Sequence, residues 1–186
     1  MLYVDPPFDL GETLDGTDAD GTVINTHWEG QIFEFPHFDR SASSIRGSKS
    51  RLSGRQIKAV ILRNSSGGAL AVAALVLKGE RDATNYLEVL GRTAAVAGDD
   101  ATGPFYVGDH YLTTTVAAND LFWGIVEGPC KVTGSASIAQ FDELAATAAG
   151  EVAAQTDDAN DLNVIGTSLQ ALTDGNTGWA HIRIRY

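Results

Sequence analysis

The chain has 186 residues, a formal net charge of −11 and one cysteine, Cys130. That length buries enough surface to hold a core without disulfide or metal staples, and a lone cysteine excludes an internal disulfide framework and any multi-cysteine zinc site. The acidic balance argues against a general binder of nucleic acid or of anionic membrane, since both attract positive charge.

The first residues, Met-Leu-Tyr-Val-Asp-Pro-Pro-Phe-Asp, show neither a basic nor an apolar leader region, so a chain made in the cytoplasm without a secretory signal is expected. Up to residue 30 there are seven acids (Asp5, Asp9, Glu12, Asp15, Asp18, Asp20, Glu29) and no Lys or Arg. From 40 to 63 the balance inverts, with seven bases (Arg40, Arg46, Lys49, Arg51, Arg55, Lys58, Arg63) and no acid. An acidic protein that concentrates its positive charge in this way has a solvated loop facing its own acidic segment or a docking site for an acidic neighbour; nucleic acid is a third reading, disfavoured because the stretch lacks interleaved aromatics to stack on bases. Pro6, Pro7, Pro36 and the Asp-Gly steps at 15–16 and 20–21 break regular structure, and 41–53 is rich in Ser, Arg and Gly. Between them sits an aromatic cluster, Trp28, Phe33, Phe35 and Phe38. Residues 1–55 therefore read as an extended arm that orders against its own domain or a partner, and 56–186 as a β-domain. On this reading, removing the arm leaves the domain folded.

Twenty glycines, five prolines and 8% aromatics favour many short strands over long helices. Residues 57–63 are apolar and β-branched, 64–68 (Asn-Ser-Ser-Gly-Gly) carry turn chemistry, and Ala69 to Leu77 is a second apolar run, which together predict a hairpin. That run, the longest in the chain, is far short of the ~20 residues a membrane helix needs. Further elements are expected over 86–96, 105–116, 121–127 and 130–133, with Pro129 marking a strand edge or start. Over 135–150 a helix competes with short strands, because Ile138, Phe141, Leu144, Ala145 and Ala148 fall near helical spacing and Ser137 with Gln140 forms a capping-box pattern. Residues 163–169 and the closing segment predict a second hairpin. In the closing segment Ala180, Ile182, Ile184 and Tyr186 alternate with His181, Arg183 and Arg185. The fold class is all-β, a sandwich or barrel of eight to ten short strands.

Catalytic motifs are missing: there is no nucleophile elbow, phosphate loop, zinc-protease helix or dinucleotide fingerprint. His27 and His37, with Glu29, Glu34 and Asp39 nearby, could form a metal site but fit an aromatic surface segment better. The stretch 18–21 (Asp-Ala-Asp-Gly) imitates part of a calcium loop, yet the terminal positions of that loop would be Gly16 and His27, so a turn is expected. Cys130 reads as a small buried hydrophobe, and Asn64-Ser65-Ser66 as a turn rather than a glycosylation site. Neither an enzyme nor a cofactor is indicated.

Three stretches resemble one family. They are Val60 to Leu70; Val116 to Val132, a strand running into a Gly-ended turn; and Phe141-Asp142-Glu143-Leu144 with Ala149 to Val152 and Val164 to Leu169. They are similar to the small all-β decoration, or cement, proteins of tailed-phage heads, over roughly residues 57–186. Where that pattern has Gly before Asp, this chain has Phe141. The resemblance implies a virion protein on the outer capsid surface, trimeric, bound to the major capsid protein at capsomer junctions. Large rigid anchors and complementary charge would then come from the arm, through Trp28, Phe33, Phe35, Phe38, Arg40, Arg46, Lys49, Arg51 and Arg55. The other readings are another head or tail structural protein, a hydrolase whose Asp, Glu or His converge from distant loops, and a carbohydrate- or receptor-binding module, which would need Trp28, Trp123 or Trp179 on an exposed face.

Overall fold

The computed structural model describes residues 5–38, 51–80, 88–92, 105–147, 150–156 and 164–184. Among them are ten strands: β1 (Ile32–Phe38), β2 (Arg51–Asn64), β3 (Val76–Glu80), β4 (Glu88–Arg92), β5 (Phe105–Gly108), β6 (Leu121–Thr133), β7 (Glu143–Ala146), β8 (Val152–Ala154), β9 (Val164–Ser168) and β10 (Thr177–Arg183). One 3-10 turn, Thr26–Trp28, precedes β1. The protein is all-β. The strands form one sheet in the order β1-β2-β4-β3-β5-β6-β10-β9-β7-β8, antiparallel except where β2 meets β4. An additional β2–β6 ladder folds the sheet over, while its ends, β1 and β8, stay apart and leave it open.

The two long strands explain the apolar runs. Ile57, Ala59 and Ile61 of β2 face a main core with Trp123, Ile125, Ala180 and Ile182. Val60 and Leu62 face a second cluster with Phe122, Val126, Leu77 and Tyr106. Strands covered on both faces lose the polar half of their alternation and read as continuous hydrophobic sequence. The closing strand β10 is covered on one face only, with Ala180 and Ile182 buried and Arg183 exposed, as its period-two pattern predicts. It pairs with β9 through Ala180–Ser168 and Ile182–Gly166, which is the second expected hairpin.

Four expectations change. The first hairpin does not form, because β2 pairs with β1, β4 and β6, and β3 with β4 and β5. The 64–68 turn instead serves Asn64, whose amide donates to the carbonyls of Gly68, Val116 and Ala117 while its Oδ1 accepts from Ser66. This anchors the chain to the 116–117 segment rather than returning it along β2. Second, the described part of 135–150 is strand and turn, not helix: Ile138 bridges to Leu172 and Leu144 pairs with Gly166. Ile138 and Leu144 are buried in the main core while Phe141 is exposed, so the near-helical spacing does not mark one face. Third, Pro129 lies inside the 13-residue β6, opposite His181. On the other edge of β6 the β2 ladder stops at Glu127, so a residue lacking an N–H is tolerated two positions later. Fourth, the boundary at 55/56 cuts β2, and Phe8, Leu10 and Phe35 belong to the main core. Residues 5–38 are thus ordered against the chain's own sheet, and their removal would open that core.

Candidate interaction surface

The segment before β1 is held by two buried polar groups. Arg63 at the end of β2 is 1% exposed, and its Nε donates to Glu29 at 2.5 Å. Its Nη1 donates to the carbonyls of Asn119 and Gly16, and its Nη2 to that of Ile24. One guanidinium therefore joins β2, the turn before β6 and three points of the N-terminal segment. Gly16 is required there, because a Cβ would fall inside the Asn119 carbonyl. Buried Asp109 does the same elsewhere, accepting from the backbone N–H of Gly11 and of Tyr111. Arg63, which reads in the sequence as one more member of the basic run, is an internal strut.

The sequence-predicted interface residues separate. The pleat of β1 turns 33, 35 and 37 inward. Phe35 is a core residue, edge-on to Trp123 at 5.0 Å between centroids, and so is not an outward anchor. Trp28 and Phe33 are partly buried against the same cluster. Phe38 and Arg51 are the paired ends of β1 and β2, so the connection carrying Arg40, Arg46 and Lys49 leaves and re-enters at one end of that strand pair. Those three bases lie outside the described residues, and the side chains of Phe38 and Arg51 are not described. Arg55 is exposed.

None of the three tryptophans is exposed. Trp123 is fully buried; Trp28 stacks on His27; Trp179 contacts His37 and His110 edge-on, with the Lys131 ammonium over its ring. This counts against the glycan-binding reading. His27 and His37 therefore face different aromatic neighbours, and the described residues contain no cluster of three or more His, Cys, Asp or Glu. The 18–21 stretch is a turn, with the Asp18 carboxylate accepting from the N–H of Asp20 and Thr22 and Gly21 at φ 78°. Cys130 is buried, which pushes its thiol well up, with Sγ 3.3 Å from His110 Nδ1. No helix of the described residues is long and apolar enough to cross a membrane.

Two surface features emerge from the structure. The first is a row of alternating charge across four strands, Glu34 on β1, Lys58 on β2, Glu127 on β6 and Arg183 on β10, each opposite the next in register. Lys58 bonds Glu127 at 2.9 Å and lies 3.9 Å from Glu34. The Lys58 hydrogen bond, with Arg183 and His181 adding, holds the Glu127 carboxyl below its ordinary range. The row crosses a groove of about 430 Å³ with Val126 and Ile184 in its floor and Ile32, 54% exposed, at its rim. A second depression of about 300 Å³ adjoins it and adds Arg55 and His181. Long-range strand register alone assembles these residues. The second feature is Phe141, at φ 74° and 68% exposed, standing where the resembled pattern has glycine.

No protein family and no curated protein sequence matches the chain. Among solved structures, the head fiber gp8.5 N base of bacteriophage phi29 is similar at a TM-score of 0.46 and 16% identity, covering 68% of this chain and 93% of that one.

Proposed function

We propose that the chain is a non-catalytic structural protein of a tailed-phage head. In this reading it is a decoration protein that seats on the outer capsid surface at capsomer junctions, contacts the major capsid protein and associates with copies of itself. The observation that carries this is the concentration of five bases and no acid between Arg40 and Arg55 in a chain of net charge −11, with Arg55 exposed on β2. Positive charge concentrated in one stretch of an acidic chain favours an acidic partner surface. The sequence resemblance over 57–186 supplies the kind of partner.

Purified protein should co-sediment with heads that lack it, and binding should weaken steeply with salt. Reversing Arg46 and Lys49 to Glu in the full chain should weaken binding at least about tenfold, the ~1.4 kcal/mol that a few lost charge pairs represent. Unchanged binding by the reversed protein would remove the basic run from the contact. Failure of the unmodified protein to bind would remove the reading itself.

A further inference from the structure

Left-handed backbone is natural for glycine and uncommon for a bulky side chain, which crowds its own carbonyl there. Phe141 holds that conformation within a rigid loop. Its N–H donates to Ser168 O, while the Asp142 carboxylate accepts from Ala139 N–H, Asp142 O accepts from Ser168 N–H, and the Gln140 amide donates to Leu169 O. The ring at the tip of this loop is 68% exposed, so the folded chain gains little apolar burial in return for the strain. A strained, immobilised and outward aromatic is an anchor shaped in advance for a partner.

We infer that the partner is a second copy of this chain, and that Phe141 enters that copy's groove beneath Ile32. The groove offers an apolar floor in Val126 and Ile184 and a volume of about 430 Å³, ample for one phenyl ring. The charges on the groove wall balance, Glu34 and Glu127 against Lys58 and Arg183, so a neutral ring enters without meeting a net charge. Knob and groove stand on different parts of one sheet, the knob beside β7 and β9 and the groove across β1, β2, β6 and β10. The contact is therefore head-to-tail, and a ring or a filament follows according to whether the rotation closes. This contact rests on the self-association in the proposed function and not on head binding, so it is read without heads.

The test is the mass of the purified full chain by light scattering over a dilution series. The unmodified protein should exceed the single-chain 19.6 kDa. Phe141→Gly loses the knob, and Ile32→Glu spoils the groove at an exposed position; each alone should be a single chain. Mixed together, they should form a two-chain species, because one intact knob and one intact groove remain. Diluted until both are single chains, Phe141→Gly should also melt no lower than the unmodified protein, which separates a lost contact from a lost fold. A single-chain mass for the unmodified protein at every concentration would overturn the inference, as would an unchanged mass for either variant. Two single-chain variants that fail to pair when mixed would overturn the head-to-tail geometry.

Discussion

The Arg63 junction and the Phe141 loop invert the usual distribution of polarity in opposite senses. At the first, a cation lies in the interior, with a carboxylate and three carbonyls around it. At the second, a phenyl ring stands in solvent on a strained backbone. The buried cation is explained within the chain, since every group around it belongs to a segment that it holds. The exposed ring is not. The difference separates polarity used to build the molecule from polarity left for something outside it.

That contrast can be broken most forcefully at Arg63. Arg63→Met leaves Glu29 buried without its cation and should lower unfolding free energy by about 3–5 kcal/mol in urea titration; a loss under about 1 kcal/mol would mean the junction is not a strut. Gly16→Ala forces the N-terminal segment off the Asn119 carbonyl and should lose about 1–3 kcal/mol by the same assay. At the other pole the sign should reverse. Phe141→Gly relieves left-handed strain of ~1–2 kcal/mol against an unfolded-state entropy of ~0.5–1 kcal/mol, so at a dilution where both proteins are single chains the melting temperature should rise by about 1–4 °C. Phe141→Ala, which keeps the strain, should not share the gain. Calorimetry of the pair decides whether the backbone or the ring carries the effect.

Smaller still are the titrations. Burial lowers the pKa of His37 and His181, with Arg55 adding at His181. The unfolded chain then binds more protons than the folded one below about pH 6.5, so stability is full above that value and declines as pH falls through it. Cys130 has the opposite sense. Its thiol ionises first in the unfolded chain, and stability should fall again above about pH 9. Chemical unfolding across that range should give a dome. Least of all, Lys58→Ala should change stability by about 0–1 kcal/mol, since its ion pairs are half exposed.

Much of the sheet could be read from residue order, because alternation and apolar runs report directly on how many faces of a strand are covered. Ala180, Ile182 and Ile184 announced one covered face, while 59–62 and 121–126 announced two. What could not be read depends on groups far apart in the chain. Arg63 and Glu29 are 34 positions apart, and nothing near Arg63 distinguishes it from Arg55, which is exposed. The 64–68 turn looked like a hairpin since its residues fit one; only the distant carbonyls of Val116 and Ala117 claim the Asn64 amide. The charged row likewise exists only after four strands are aligned. Phe141 was visible as a departure from the resembled pattern, though its φ and exposure were not.

The ladders that align those strands also bear on how the chain reaches this state. Lys58 meets Glu127 across 69 positions, Gly11 meets Asp109 across 98, and Gly16 meets Asp120 across 104. Closing such loops loses chain entropy before any apolar burial offsets it, so acquisition of the native sheet should be slow, in the range of ~milliseconds to seconds. During that interval β2 and β6, apolar on both sides, are bare. A crowded refolding mixture should therefore lose protein to aggregates, and dilution during refolding should recover it.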